Sequence, residues 1–213
     1  GMTILFNNIG NLLKERGELE EAEKLYRKAL AIREELGNKS GMAFSYNIIA
    51  NLLSQRGELE EAEKLYRQAL AIREELGDKS GISSSYTSIG NLLKNRGELE
   101  EAEKLYRQAL AIDEELGDKS GMASDYSTIG IILKQRGEIE EAEKLYRQAL
   151  AIREELGNQS GIASSYSSIG TLLKQRGELE EAEKLYRQAL AIREELGNKS
   201  GTASMQNKLA NVL

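Results

Sequence analysis

The chain contains no cysteine, no histidine, no proline and no tryptophan among its 213 residues. Without cysteine it can form neither a disulfide nor a thiolate nucleophile, and without histidine it lacks the commonest general base. Cysteine and histidine are also the usual ligands of zinc. We therefore expect a protein that is not an enzyme and that needs neither a cofactor nor a metal.

Long apolar segments are missing as well, because no stretch approaches the roughly 20 residues that span a bilayer. The N-terminus does not resemble a secretory signal, so the expectation is a soluble, cytoplasmic protein without a membrane partner. The formal net charge is -6, and both signs are interspersed along the chain. This pattern argues against a surface that neutralises phosphates, so nucleic acid is not an expected partner.

The sequence is built on a repeat. The heptapeptide Glu-Ala-Glu-Lys-Leu-Tyr-Arg starts at Glu21 and returns every 40 residues, in five copies. Two sets of glycines divide each period into two segments, and their richness in Ala, Leu, Glu and Lys predicts a helix for each and no strand. We predict one domain over residues 2–213, with Gly1 as a remnant of tag cleavage. Its repeats cover approximately residues 2–40, 41–80, 81–120, 121–160 and 161–200, followed by a terminal helix at 201–213.

Local signals predict where these helices begin and end. The first helix of a repeat should start after a serine such as Ser40, which would serve as its N-cap, and should run for about 16 residues to an Arg-Gly pair. The second helix should start near Glu18, where its acidic first turn suits the helix dipole, and should stop at Gly37 as a C-cap.

The apolar residues of the second helix occupy an arc of roughly 160° on a helical wheel, from Leu19 to Leu36. One partner helix cannot cover that arc, so two neighbouring first helices must share it. The predicted fold is therefore an all-α solenoid of antiparallel helix pairs. Arg33 falls inside the arc, and we expect its stem to pack there while its head escapes to solvent. Asp113 takes the same place in the third repeat, and the sequence offers no explanation for it.

The pattern aromatic-x-x-Ile-Gly, followed by Arg-Gly-Glu-Leu-Glu-Glu-Ala-Glu-Lys-Leu-Tyr-Arg-Gln-Ala-Leu, resembles the tetratricopeptide repeat. The longer period resembles the repeats of kinesin light chains and of the scaffolds that orient the mitotic spindle through G-protein regulators. The resemblance implies a right-handed superhelix whose first helices line a concave, peptide-binding groove. In the third repeat it rests on Tyr86, Ile89, Gly90, Gly97, Ala102, Tyr106 and Ala109.

First-helix positions opposite the core face vary between repeats, whereas the second helices are nearly identical. This contrast favours a copied scaffold with an individual groove, although drift at solvated positions is the alternative. The predicted function is a scaffold that binds a protein or peptide. The predicted groove residues are Ile4, Asn7, Asn11, Lys14, Phe44, Asn47, Ile48, Asn51, Ser84, Thr87, Asn91, Lys94, Ser127, Ile131, Lys134, Thr171 and Lys174.

These side chains predict the chemistry of a partner. Asn11, Asn51 and Asn91 form a ladder whose amides can bond both the N–H and the C=O of a peptide backbone, as the resemblance also implies. Phe44 and Ile48 suit an apolar anchor. The groove lysines favour an acidic peptide or a free C-terminal carboxylate, although lysine at such an edge is as often merely solvated. From another class of function, near-identical repeats could also associate end to end.

Overall fold

A computed structural model describes residues 1–212, and in that range it contains eleven α-helices and no strand. The predicted all-α solenoid of paired helices is confirmed. The sequence predicts a terminal helix at residues 201–213, and residue 213 lies outside the described residues. The observed terminal helix ends at Ala210. The helices are α1 (Met2–Glu15), α2 (Leu19–Glu35), α3 (Lys39–Arg56), α4 (Leu59–Leu76), α5 (Lys79–Arg96), α6 (Leu99–Leu116), α7 (Lys119–Arg136), α8 (Ile139–Glu155), α9 (Gln159–Arg176), α10 (Leu179–Glu195) and α11 (Lys199–Ala210).

The chain divides into two compact units, which we call unit 1 (Gly1–Ile112) and unit 2 (Asp113–Leu213). In unit 1, α2 packs against both α1 and α3, and α4 packs against both α3 and α5. In unit 2, α8 packs against α7 and α9, and α10 packs against α9 and α11. Each of these second helices is thus shared by two first helices, as the width of its apolar arc requires.

The first helices start earlier than the serine pattern predicts. The Asn38 side chain accepts a hydrogen bond from the backbone N–H of Gly41 at 2.9 Å, so Asn38 is the N-cap and α3 begins at Lys39. Asp78 caps α5 in the same way. The prediction of Ser40 as the cap is wrong, because an Asn or Asp side chain reaches the third N–H of the helix from that position. The serine lies in the first turn, and α3 is 18 residues long.

Glycines end the helices as predicted. Gly57 follows α3 at φ +83°, and Gly77 follows α4 at φ +66°. Both angles lie in the left-handed region, where a side chain is strained and glycine is not. These turns bring each helix back against the one before it.

The core contains most of the predicted face of the second helices, since Ala22, Tyr26 and Ala29 are all buried. The prediction that Leu36 belongs to the buried arc is wrong, because Leu36 is 73% exposed. It lies beyond the last turn of α2, where no neighbouring helix covers it.

On the first helices, the helical wheel predicts a core face of Met42, Ala43, Tyr46, Ile49, Ala50 and Leu53. Met42 and Tyr46 are only half-buried, whereas Ser45 and Leu52 are buried although the wheel left them out. The helical wheel missed Ser45 and Leu52 because it assumed that a single neighbouring helix packs against each first helix, whereas α3 contacts both α2 and α4.

We expect Ala102→Leu to destabilise the protein by about 1–3 kcal/mol, because Ala102 is 0% exposed in α6 and a larger side chain has no room there. Glu100→Gln, two residues earlier on the exposed side of the same helix, should change stability by less than about 0.5 kcal/mol. Urea unfolding of both variants measures the difference. Equal losses would mean that the inner and outer faces of α6 are assigned wrongly.

Candidate functional site

The first helices of unit 1 present a row of side chains that no neighbouring helix covers. Ile4 is 61% exposed and Phe44 is 49% exposed, which is unusual for large apolar side chains unless they meet a partner. Ile48 and Thr87 are half-buried, whereas Ser84 is exposed and donates its hydroxyl to the Ser80 carbonyl at 3.0 Å. We call this surface the open face of unit 1. Its predicted members are Ile4, Asn7, Asn11, Lys14, Phe44, Asn47, Ile48, Asn51, Ser84, Thr87, Asn91 and Lys94.

Phe44 is held in place by a cation. The Arg33 guanidinium lies 5.3 Å from the centroid of the Phe44 ring, a distance at which a cation attracts the face of an aromatic ring. Arg33 itself is only 8% exposed and donates to the Ser45 hydroxyl. Its head therefore does not escape to solvent, contrary to the prediction. The contact positions the Phe44 ring while half of its surface stays available.

The asparagine ladder is tied to the core. The Tyr26 hydroxyl donates to Asn11 Oδ1 at 2.7 Å, the Tyr66 hydroxyl donates to Asn51 Oδ1 at 2.7 Å, and the same bond recurs in the third repeat at 2.8 Å. Each tyrosine ring is buried, so the hydrogen bond reaches outward from the core to an exposed amide.

These bonds occupy one of the two lone pairs on each amide oxygen. The Nδ2 protons and the second lone pair of that oxygen remain for a partner. The sequence predicted an amide that bonds both N–H and C=O groups of a peptide, and it missed the tyrosines. The signal that could have revealed them is the constant separation of 15 residues between Asn and Tyr, as from Asn51 to Tyr66.

The remaining polar members of this face differ from the ladder. Asn7 is buried, with 8% of its surface exposed, so it offers little to a partner. Asn47 is half-buried, and its Oδ1 is buried without any hydrogen-bond partner. Lys14 and Lys94 are half-buried, and the Lys94 ammonium lies 3.4 Å from Asn91 Oδ1. The open face of unit 1 thus combines apolar groups, amide donors and ammonium groups.

In unit 2 the structure places the predicted residues on α7 and α9. Ser127 donates its hydroxyl to the Ala123 carbonyl at 2.9 Å, and Ile131 is 36% exposed. Lys134 and Lys174 are half-buried. We call the surface of Ser127, Ile131, Lys134, Thr171 and Lys174 the open face of unit 2.

Thr171 is already bonded within the chain. Its hydroxyl donates to the Ser167 carbonyl at 2.8 Å and accepts from the Tyr186 hydroxyl at 3.2 Å. The Lys208 ammonium of α11 also donates to it, at 3.1 Å, and donates to Ser167 Oγ at 2.7 Å. Thr171 therefore has little capacity left for a partner, and sequence reasoning missed Lys208 and Ser167.

Half-buried arginines link successive helix pairs. Arg73 Nη1 donates to Ser85 Oγ at 2.6 Å and to the Gly81 carbonyl at 3.0 Å, and Arg153 Nη1 donates to Ser165 Oγ at 2.7 Å. Burial lowers the pKa of both guanidinium groups below the ordinary value. In the third repeat this link is replaced by two acidic residues, Asp113 and Asp125, both buried. Burial raises the pKa of Asp125, and the nearby negative charge of Asp113 raises it further because it disfavours a second negative charge.

The outer side of the second helices also carries shallow depressions. In α4 one is lined by Glu60, Glu63, Lys64 and Arg67, among others, and the equivalent residues line depressions on α6 and α8. Glu63 pairs with Arg67 at 2.7 Å and with Arg96 at 2.6 Å. Because these side chains are the same from repeat to repeat and satisfy one another, they give a partner nothing individual to recognise.

Within residues 1–212, no group of three or more His, Cys, Asp or Glu side chains is arranged to hold a metal ion. None of the helices in that range combines the length and apolar character that a membrane-spanning segment needs.

Solved structures with similar folds are numerous. BtubC (BKLC) from P. vanneervenii is 24% identical with a TM-score of 0.83, covering 91% of this chain and 80% of that one. RapI in its apo form is 18% identical with a TM-score of 0.86, covering 95% and 74%. Kinesin light chain-like repeats from Podosopora anserina are 19% identical with a TM-score of 0.74, covering 93% and 99%. At these identities the likeness shows the fold.

Sequence profiles decide the family. Profiles of the tetratricopeptide repeat match residues 2–75, 81–155 and 162–196. A comparison with curated proteins gave no match. Because the profile matches extend over well more than half of the chain and agree with the observed helix pairs, the resemblance seen in the sequence is confirmed: the chain belongs to the tetratricopeptide repeat family.

Proposed function

We propose that this protein is an interaction scaffold whose open faces bind a segment of a partner protein. Tetratricopeptide repeats are in general protein-interaction modules and typically have no catalytic role. The observation that carries the proposal is the open face of unit 1. There, exposed Ile4 and Phe44 lie on the same surface as exposed amides whose oxygens are held by buried tyrosines.

The charges on these faces favour an acidic segment or a free C-terminal carboxylate. Lys14 and Lys94 lie on unit 1, and Lys134 and Lys174 lie on unit 2. The amide protons of Asn11 and Asn51 add donors, and a peptide supplies the matching acceptors through its carbonyl groups. A partner that also carries an apolar anchor would use Phe44. This combination supports an acidic segment with one large apolar side chain.

Phe44→Ala should weaken partner binding more than Asn91→Ala. Truncating a well-buried aromatic anchor costs about 2 kcal/mol or more, whereas losing one amide contact costs about 0.5–1.5 kcal/mol. A pull-down from native lysate, with the captured proteins identified, supplies the partner, and its affinity is then measured for each variant. The melting temperature of Phe44→Ala should stay close to that of the wild type, because Phe44 is exposed, whereas Asn91→Ala also loses the hydrogen bond from Tyr106 and should melt somewhat lower.

Glu60→Lys provides the control, because Glu60 is exposed on the outer side of α4. The proposal fails if Glu60→Lys abolishes binding while Phe44→Ala and Asn91→Ala bind normally. It also fails if a dilution series shows that the only association is between copies of this chain. End-to-end association occurs in the protein alone and increases with its concentration, whereas capture of a partner requires the partner to be present.

A further inference from the structure

Lys208 shows how these repeats can hold an ammonium group. Its Nζ donates to Ser167 Oγ at 2.7 Å and to Thr171 Oγ1 at 3.1 Å, and it lies 5.5 Å from the centroid of the Tyr186 ring. Two oxygen acceptors and an aromatic face surround one positive charge. We call this arrangement the lysine niche of α9. It keeps the ammonium half-buried although burial and the charges of Lys134 and Arg193 lower its pKa.

The equivalent niche exists in unit 1 without a lysine. Each residue of the lysine niche has a counterpart 120 residues, or three repeats, earlier in the chain. Ser167 and Thr171 correspond to Asn47 and Asn51 on α3, and Tyr186 corresponds to Tyr66 on α4. Tyr66 is 4% exposed, and its hydroxyl fixes Asn51 Oδ1 at 2.7 Å. Asn47 Oδ1 is buried and has no hydrogen-bond partner. A buried acceptor without a donor is unfavourable, so this niche is incomplete within the chain.

The residue that could fill the niche is too short. Ser88 on α5 stands where α11 carries Lys208, and its hydroxyl donates to the Ser84 carbonyl at 2.9 Å. Ser54 stands where α9 carries Lys174, whereas Lys134 and Arg193, the two cations that act alongside burial to lower the pKa of Lys208, have the equivalents Lys14 and Arg73 in unit 1. In unit 2 the corresponding niche of α7 has Ile131 in place of an acceptor, so it cannot serve an ammonium in the same way.

We propose that the niche formed by Asn47, Asn51 and Tyr66 binds the ammonium group of a lysine side chain supplied by the partner. Asn47 Oδ1 would accept from it directly, Asn51 Oδ1 would use its second lone pair, and the Tyr66 ring would attract the charge. This inference rests on the proposed function and adds to it: the bound segment carries a lysine facing α3 as well as its acidic groups. Amide oxygens are at least as good acceptors as the two hydroxyls that hold Lys208.

The first experiment supplies the lysine from within the chain. Ser88→Lys in the full chain should raise the melting temperature by about 2–4 °C over Ser88→Met, which has a similar reach and no charge. The side-chain NH2 resonances of Asn47 and Asn51 should shift in Ser88→Lys alone. The gain should vanish in the Asn47→Leu background, whose fold is checked by circular dichroism. A Ser88→Lys variant no more stable than Ser88→Met, or a gain that survives Asn47→Leu, overturns the inference.

The second experiment uses a free probe at constant ionic strength. Titrating Nα-acetyl-lysine methylamide to about 100 mM should shift the Asn47 and Asn51 side-chain resonances of the wild type, and the norleucine analogue should not. Neither compound should shift them in Ser88→Lys, where the niche is already filled. Equal shifts from both compounds, or none, contradict the inference. Because neither experiment uses a partner, failure of the scaffold function and failure of the niche are distinguished.

Discussion

The free energy of unfolding should fall by about 3 kcal/mol as the pH is raised from 5 to 8, because of one buried carboxyl group. Burial, with the charges of Asp113 and Asp118, raises the pKa of Asp125 to about 7 from the ordinary 3.8. One pKa unit corresponds to about 1.4 kcal/mol of differential interaction between the protonation states. The chain has no histidine, so no imidazole titrates in this window to obscure the effect.

The cause lies in the replacement of an Arg–Ser link by two acids. Asp125 is 2% exposed and Asp113 is 6% exposed, and Asp125 Oδ2 has no hydrogen-bond partner. A Cβ placed on Gly121 would clash with Asp113 Oδ2 and lie 3.0 Å from Asp118 Oδ2, so both carboxylates crowd the start of α7. Arg153 donates to the Ala123 carbonyl on the same helix at 3.3 Å and keeps its charge throughout the pH range.

The sign follows from where the proton binds more tightly. Between about pH 4 and pH 7 the folded chain keeps the Asp125 proton while the unfolded chain has released it. Unfolding then releases a proton, so raising the pH favours unfolding, and stability is lost until the pH passes about 7. Above that pH the cost of the buried charge is fully present, so the unfolding free energy should no longer change with pH because of Asp125.

Urea unfolding at several pH values from 5 to 8 measures the predicted loss of unfolding free energy. The NMR chemical shift of the Asp125 carboxyl carbon over the same range measures the pKa of that group directly. The double variant Asp113→Arg with Asp125→Ser recreates the Arg73–Ser85 link and should be more stable at pH 8, with little pH dependence. Asp118→Asn keeps the N-cap, since Asn158 caps α9, and should shift the midpoint slightly downward. If the unfolding free energy of the wild type does not change between pH 5 and 8, or if that of the double variant falls as steeply, the assignment to Asp125 is contradicted.

Tyr66→Ala should destabilise the protein by about 3–5 kcal/mol, because it removes a buried ring and leaves a cavity in the core. Tyr66 is 4% exposed. Tyr66→Phe keeps the ring and loses the hydroxyl that bonds Asn51 at 2.7 Å, so it should cost only about 0.5–1.5 kcal/mol. Chemical denaturation of both variants separates the packing from the hydrogen bond.

Tyr146→Phe is the matched control for the hydroxyl. Tyr146 is 2% exposed, like the other core tyrosines, but Ile131 stands where the asparagine would accept its hydrogen bond. Its replacement by phenylalanine should therefore cost less than Tyr66→Phe. Equal losses in the two phenylalanine variants would show that the bond to Asn51 adds no stability and that it serves only to orient the amide.

The helix pairs could be predicted because the signals behind them are local and repeated. The 40-residue period fixes the number of pairs, and the glycines after Arg56 and Leu76 end helices through their own backbone freedom. The start of α3 was missed for a local reason as well, since both Asn38 and Ser40 are good caps and only the geometry of the turn selects Asn38.

The candidate site was harder to predict because its chemistry depends on contacts between helices. A wheel places Asn51 on an exposed face, but it cannot show that Tyr66 reaches across to bond it. It likewise places Arg33 in the apolar arc without showing that Ser45 receives its guanidinium. Asp113 had no explanation in its own helix, because its significance lies in Asp125 on the next one.

The spacing of these bonds bears on how the gene can change. Where these bonds occur, tyrosine and asparagine are 15 residues apart and the Arg–Ser partners are 12 apart, in a chain that repeats every 40. A deletion or duplication of one whole period thus rejoins a bonded residue of one such repeat to a partner at the same spacing in another. The array can therefore gain or lose length in a single genetic step without a new core having to evolve.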